Sequence, residues 1–245
     1  MGRALGLAAL RRGWRVLATR RRCGLLGELE RLGFEALCSN REAAERADLV
    51  VIAVKPWVVG EVASEIAGVV RGKPVASIAA GVGLPRLREM LPGAEVYRAM
   101  PNLGALVGLS ATALAGDGEH RGLVEEFFRC SGEVFWVDES LFPAWTGLAG
   151  SAPGILAVLA DAYLEACIAA GLPRDTCRAL AALVLEATGR LLREKHPAVL
   201  RDEVATPGGT TIEGVRVLEA RGGRTALIEA LLAASEKALL LERSR

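Results

Sequence analysis

Residues 48–54 read DLVVIAV, an apolar run that opens on Asp48 and closes directly on Lys55-Pro56. It lacks the alternation of apolar and polar residues that marks a half-solvated strand. A run of this kind suits a parallel strand covered by helices on both faces. Working outward, Trp14–Ala18 reads as an earlier strand, and Pro74–Ala80, Ala94–Ala99, Ser110–Ala115 and Glu133–Val137 as later ones. Between them, Gly24–Leu32, Trp57–Val70, Pro85–Leu91 and His120–Cys130 carry helical periodicity. Strands and helices alternating over short links predict an α/β fold, a doubly wound parallel sheet.

After Asp138 the strand signal stops. Phe142–Ala170, Arg174–Arg193, Thr211–Arg221 and Arg224–Arg243 all read as helices. Leu156, Leu159, Ala160, Tyr163 and Leu164 form one 3.6-residue stripe, and Leu180, Leu183, Val184, Ala187 and Leu191 another. The expected division is therefore 1–138 for the α/β domain and 139–245 for a helical one. So few helices make a thin layer with two apolar sides, so a second copy of the chain is expected to cover one side, as a homodimer.

The chain has 245 residues and is 51% hydrophobic, enough to offset its ordering entropy in a real core. Its formal net charge of +1 argues against a nucleic-acid protein that works by bulk charge. Glutamine is absent and Asn40 and Asn102 are the only asparagines, a scarcity of heat-labile amides that points to a thermophilic source. Cys23, Cys38, Cys130, Cys167 and Cys177 include no C-x-x-C, so neither zinc spacing nor a secreted disulfide framework is expected. Buried reduced thiols are the first expectation, and a Cys167–Cys177 bridge the alternative. The segment Ala4–Leu10 is too short, and wrongly flanked by Arg11-Arg12, for a signal peptide. The longest apolar run, Leu148–Leu172, holds Pro153, Asp161 and Glu165 and is not expected to span a membrane. A cytoplasmic protein is the resulting expectation.

Four segments carry chemistry. Gly2 opens a helix, as the last glycine of a dinucleotide-binding loop does, where pyrophosphate rests on the helix N-terminus. Thr19, Arg20, Arg21 and Arg22 follow the strand Trp14–Ala18 at the place that reads the adenosine ribose. Guanidiniums there accommodate a 2′-phosphate, which favours NADP over NAD. Val54-Lys55-Pro56, Ala79-Ala80-Gly81 and Met100-Pro101-Asn102 stand at successive strand ends, where open α/β sheets bind ligands. Finally, Thr206-Pro207-Gly208-Gly209-Thr210-Thr211 opens a helix with free backbone N–H groups and hydroxyls beside them, a cradle suited to a small carboxylate. The plainer reading of that last segment is an ordinary turn capped by threonine.

Together these segments resemble pyrroline-5-carboxylate reductases. The matching residues are Ala53-Val54-Lys55-Pro56, Ser77–Val82, Arg98-Ala99-Met100-Pro101-Asn102, Gly150-Ser151-Ala152-Pro153 and, above all, Val204–Val215. The resemblance implies a Rossmann-type domain followed by an all-helical dimerisation domain, with dimers often assembled further into decamers. It implies hydride transfer from NAD(P)H, with NADPH preferred, to the ring C=N of pyrroline-5-carboxylate, giving L-proline. It further implies Arg20 and Arg22 in the ribose-reading loop, Asn40 at the adenosine, and Val54-Lys55-Pro56 and Ala79-Ala80 in the cofactor cleft. Glu194, Val204, Thr210 and Thr211 match the substrate pocket, Gly208–Thr210 amides would hold the carboxylate, and Thr211 falls where a hydroxyl meets the ring nitrogen.

The chain departs from that pattern in four places. Ala152 stands for a usual glycine, Glu203 for a common asparagine, and Leu103-Gly104 for Thr-Pro, which is expected to loosen a loop beside the nicotinamide. The family begins with a strand and G-x-G-N-M-G, and this sequence begins at that motif's Met1-Gly2. A longer gene product is therefore expected. For the chain as written, a gapped sheet and weakened NADP(H) binding are expected. Two other readings follow from these features: a catalytically impaired scaffold, and an NADP-dependent reductase of the hydroxyacid dehydrogenase type. The latter relies on a helical-domain lysine, for which only Lys195 and Lys237 are available.

Overall fold

A computed structural model describes residues 1–21, 24 and 26–243. Arg22 and Cys23 lie outside the described residues. The chain divides into two compact units, Met1–Ser151 together with the residues from Ala234 onward, and Ala152–Ala233.

In the first unit the chain runs α1 (Gly2–Arg11), β1 (Leu17–Thr19), α2 (Gly27–Glu30), β2 (Glu35–Leu37), α3 (Asn40–Arg46), β3 (Val50–Ile52) and α4 (Val59–Ile66). It continues through β4 (Pro74–Ser77), α5 (Leu84–Met90), β5 (Glu95–Met100), β6 (Ser110–Ala115), α6 (Arg121–Arg129), β7 (Gly132–Trp136) and α7 (Phe142–Trp145). Three of these, β2, α3 and a half-exposed β3, depart from the sequence reading. Ser39 Oγ accepts the Glu42 N–H at 3.1 Å and so starts α3, whose one buried residue is Ala44. Lys73 Nζ finishes that helix by donating to the carbonyls of Ala44, Glu45 and Ala47.

The strands form two sheets. β1 and β2 pair in parallel, and β3-β4-β5-β6-β7 form a second sheet, parallel except where β6 runs antiparallel to β5. The expected gap is therefore present, between β1 and β3. It makes β3 an edge strand, so the 48–54 run is half-buried at one edge instead of fully enclosed.

Alternation along the fully buried β4 fixes the two faces of the larger sheet. Val75 packs with Ile52, Val59, Ile66, Leu87 and Phe142 on one side. Ala76 packs with Leu5, Ala9, Tyr97, Leu114 and Phe128 on the other. Arg98, only 1% exposed, sits within this core. It pairs with Glu139 at 3.1 Å and Glu242 at 2.5 Å, and its guanidinium lies 4.5 Å from the centre of the Phe142 ring.

The expected helix Phe142–Ala170 is present as α7, a π-helical stretch over Thr146–Ser151 and α8 (Ala152–Ala169), helical throughout. The second unit continues with α9 (Arg174–Leu191), α10 (Pro197–Val204), α11 (Thr210–Ala220) and the first part of α12 (Gly223–Arg243). Few of its side chains are buried, and Leu156, Val158, Leu183 and Leu232 are among the exposed apolar ones. The stretch Glu139–Ala169 is long and apolar enough, by length and composition, to cross a bilayer, which the sequence reading had discounted.

Cys167 and Cys177 form a disulfide with Cα atoms 5.7 Å apart, tying the end of α8 to the start of α9. Cys38 is disulfide-bonded as well, so among the described residues the expectation of a reduced thiol holds only for Cys130, whose burial raises its pKa. The Cys167–Cys177 loop spans 10 residues, a closure worth about 2–3 kcal/mol in the chain-entropy account. Cys167→Ala with Cys177→Ala is expected to lower Tm by roughly 4–12 °C in a thermal scan, and an unchanged Tm would count against any stabilising role.

Candidate functional site

In the first unit, α1 begins at Gly2 with Met1 as N-cap. A Cβ on Gly2 would come 2.8 Å from the Cβ of Ala53, so helix and strand approach as closely as they do only because residue 2 is glycine. Thr19 ends β1, and its hydroxyl donates to Asn40 Oδ1 at 2.5 Å. Asn40 Nδ2 in turn donates to Glu65 at 2.8 Å, which fixes the amide orientation. Arg20 follows at the strand end, 3.5 Å from Glu28, with Arg21 exposed beside it. Gly2, Thr19, Arg20, Asn40 and Val54 line one cavity of about 500 Å³. Thr19, not an acidic residue, stands at the end of β1, and basic residues follow it.

A second cavity of about 370 Å³ in the same unit brings Pro56, Ala80 and Gly81 together with Arg98, Thr146 and Lys237. Gly81 has φ +74°, which a side chain would strain, directly after the end of β4. Lys55 and Ala79 flank these residues and line neither cavity. Asn102 lies after β5. Its Oδ1 accepts from Gly104 N at 3.1 Å and Ala111 N at 3.3 Å, while its Nδ2 donates to the Ala149 carbonyl at 3.1 Å. A Cβ on Gly104 would collide with the Leu109 carbonyl. The Leu103-Gly104 departure therefore does not loosen this loop. Glycine lets it close on itself, and Asn102 ties both of its ends.

The second unit builds the other predicted segment. Thr206 accepts the Gly209 N–H at 2.9 Å, with Pro207 and a left-handed Gly208 (φ +72°) between them. Proline followed by a positive-φ glycine is the signature of a type II turn. Gly209 is the N-cap of α11 and no side chain caps it, so the plainer reading of a threonine cap does not describe this turn. The backbone N–H groups of Thr210, Thr211 and Ile212 begin the helix, where no intrahelical partner exists for them. Thr211 is half-buried, whereas Thr210, Gly208 and Val204 are exposed. Glu194 is exposed in the turn between α9 and α10. Glu203 does not stand as an open negative charge near the turn, because Lys195 Nζ donates to it at 2.5 Å. Hydrogen bonds from Arg216 hold Glu213 below the usual carboxylate range. Among the described residues no group of three or more His, Cys, Asp or Glu is placed to hold a metal ion.

The sequence reading missed the Arg98–Glu139–Glu242 network. Its one visible trace was a charge inside the apolar strand Glu95–Met100.

Comparison with known proteins agrees with this arrangement. Residues 139–241 match a family model described as pyrroline-5-carboxylate reductase dimerisation, and residues 1–81 match one described as NADP oxidoreductase, coenzyme F420-dependent. The pyrroline-5-carboxylate reductase of Thermus thermophilus is 40% identical, across 97% of this chain and 93% of its own. The solved pyrroline-5-carboxylate reductase of Coxiella burnetii is 30% identical and superposes with a TM-score of 0.91 over 98% of this chain and 94% of its own. The Plasmodium falciparum pyrroline carboxylate reductase, solved with NADP bound, shares the fold at 22% identity and a TM-score of 0.87 over 99% and 94% of the two chains. With 40% identity along nearly its whole length and a family model over its helical half, the chain belongs to the pyrroline-5-carboxylate reductase family.

Proposed function

We propose that the chain reduces 1-pyrroline-5-carboxylate to L-proline with NADPH as the preferred donor. The observation that carries the reading is the Thr206–Gly209 turn, which presents the free amides at the start of α11 beside two threonine hydroxyls. A small carboxylate fits amides at a helix N-terminus, and a cyclic imine nitrogen then meets the Thr211 hydroxyl. When bound, the nicotinamide supplies the hydride. The chain's own residues position the imine, hold its carboxylate and keep water away, which accounts for most of the rate in a reaction needing little acid chemistry.

On this reading Gly2, Thr19, Arg20, Arg21, Asn40 and Val54 hold the adenosine half of the cofactor. Lys55, Pro56, Ala79, Ala80, Gly81 and Asn102 line the path toward its reactive ring. Glu194, Val204, Gly208, Gly209, Thr210 and Thr211 form the substrate pocket. Residues 139–245 serve as the dimerisation and substrate region. The exposed apolar residues of α8 and α9 and the match to a dimerisation family support burial of those faces against a second copy rather than in a bilayer. Assembly into decamers, a cytoplasmic location and a thermophilic source complete the reading.

The test follows NADPH absorbance and proline formation with the purified chain and pyrroline-5-carboxylate, and the absence of proline overturns the proposal. Arg20→Ala with Arg21→Ala is expected to weaken NADPH at least tenfold and leave NADH within about twofold. One charge-assisted hydrogen bond is worth roughly 1.5–3 kcal/mol, and NADH has no phosphate to lose it. An equal loss for both cofactors would remove these arginines from 2′-phosphate recognition.

A further inference from the structure

Ala80 and Gly81 line the cavity of about 370 Å³ together with Pro56, Arg98 and Glu242. Glu139 does not line it. It stands one layer behind and bonds to the turn that carries Ala80 and Gly81. We infer that Glu139 is a positioning residue for the proposed reaction: its carboxylate, steadied by Arg98, sets where residues 80–83 stand and so how the cofactor's reactive ring meets the imine. The inference rests on the reading of that cavity as the approach to the ring.

The turn itself supplies the first argument. Upstream it is tied to the sheet, where the Ile78 N–H donates to the Ile52 carbonyl at 3.1 Å and the Ala79 N–H to Ser77 Oγ at 3.3 Å. Downstream it enters α5, whose N-cap is Gly83 and so has no side chain with which to cap the helix. Two glycines within three residues, Gly81 at φ +74° among them, leave this backbone with more freedom than any other residue type would. The missing cap arrives from 55 residues away. The Leu84 N–H donates to Glu139 Oε1 at 2.6 Å, a charge-assisted bond. A Cβ on Gly83 would stand 3.3 Å from the same oxygen, inside ordinary van der Waals contact, so the turn rests directly against the carboxylate.

The support behind Glu139 supplies the second. Asp138 Oδ1 accepts the Ser140 N–H at 2.8 Å and starts the single helical turn Glu139–Leu141. Arg98 Nη1 donates to Glu139 Oε1 at 3.1 Å and to Glu242 Oε1 at 2.5 Å. A line of directed contacts therefore runs from α12 through β5 to the turn. One buried and two largely buried charges are a costly way to fill a core, and apolar groups of the same volume often stabilise it as well. What the ion trio adds over apolar packing is a carboxylate oxygen held at one point. That point is where the Leu84 N–H must come.

Glu139 gives no proton and touches no reacting atom. Its effect passes through Gly81 and its neighbours, and a displacement of about 1 Å at a reacting centre costs on the order of 10²-fold in rate.

The test compares the full chain with Glu139→Ala and Glu139→Gln, first with no cofactor added. Backbone hydrogen exchange at Val82 and Leu84 is expected to quicken at least tenfold in Glu139→Ala, with Val75 and Ala76 of β4 unchanged. Glu139→Gln keeps an oxygen that accepts the Leu84 N–H, and exchange there is expected to stay within threefold of wild type. Turnover of NADPH and pyrroline-5-carboxylate is then counted per NADPH site titrated by fluorescence, so that loss of folded chain does not enter. Glu139→Ala is expected to lower kcat roughly tenfold to a hundredfold with KM for NADPH changed less than threefold, and Glu139→Gln to keep at least a third of wild-type kcat. Unchanged exchange at Leu84, unchanged kcat per site in Glu139→Ala, or an equal loss in Glu139→Gln overturns the inference. A wild-type chain that forms no proline overturns the proposed function instead. The positioning role is then decided by NADPH alone, which is expected to slow exchange over residues 81–84 at least fivefold in wild type and not in Glu139→Ala. Equal slowing in both chains, or none in wild type, overturns it.

Discussion

Arg98→Met is expected to cost about 3 kcal/mol of folding free energy and to lower Tm by roughly 6–12 °C. The methionine fills much of the volume and keeps the contact with Phe142, so packing alone predicts a small effect. The charge arrangement predicts a large one. Arg98 is 1% exposed and bridges Glu139 and Glu242, which are themselves about three-quarters buried. Removing the cation leaves two carboxylates facing each other across an apolar pocket. The guanidinium also fixes geometry, since one nitrogen, Nη1, serves both carboxylates, and Glu139 goes on to accept the Leu84 N–H at the start of α5. Among the described residues its buried Nε has no partner, so the network is already short of full satisfaction. The chain with Arg98→Met, Glu139→Gln and Glu242→Gln together is expected to recover at least half of the loss. Equal stability of the single and triple variants, by urea titration, would show that the charges are not what holds this region.

That network illustrates which parts of the molecule were legible in sequence and which were not. Local chemistry was legible. The turn Thr206–Gly209 is specified by proline and glycine at adjacent positions, and β6 and β7 announced themselves as apolar runs after turn residues. Contacts made across long separations were not. Arg98 meets partners 41 and 144 residues away, and no periodicity encodes that. α3 buries only Ala44 and so has no apolar stripe to read, though Ser39 followed by Glu42 is a capping-box signature that marks its start. The 48–54 run was correctly read as a strand, but its half-exposure depends on which strand lies beside it, and no residue within the run records that. The disulfide between Cys167 and Cys177 likewise depended on how α8 and α9 meet.

The largest catalytic effect is expected at Thr211. Thr211→Ala should lower kcat about 10²-fold, in the range found when one positioned donor to a reacting group is removed, and change KM less than threefold. The separation of the two constants follows from the turn's division of labour. On the proposed reading the carboxylate is held by main-chain amides, which survive the substitution because Gly208 and Gly209 set the turn and Gly209 caps α11 with no side-chain cap among the described residues. What is lost on that reading is the hydroxyl proposed to meet the ring nitrogen, an interaction that matters as the nitrogen gives up its positive character. Thr211→Ser keeps the hydroxyl and should retain at least a tenth of wild-type kcat, which separates a hydrogen-bonding role from the packing of a methyl group. Thr210→Ala, one residue away and exposed, should act mainly on KM. If Thr211→Ala instead raises KM with kcat intact, the residue contributes uniform binding and the proton reaches the imine by another route.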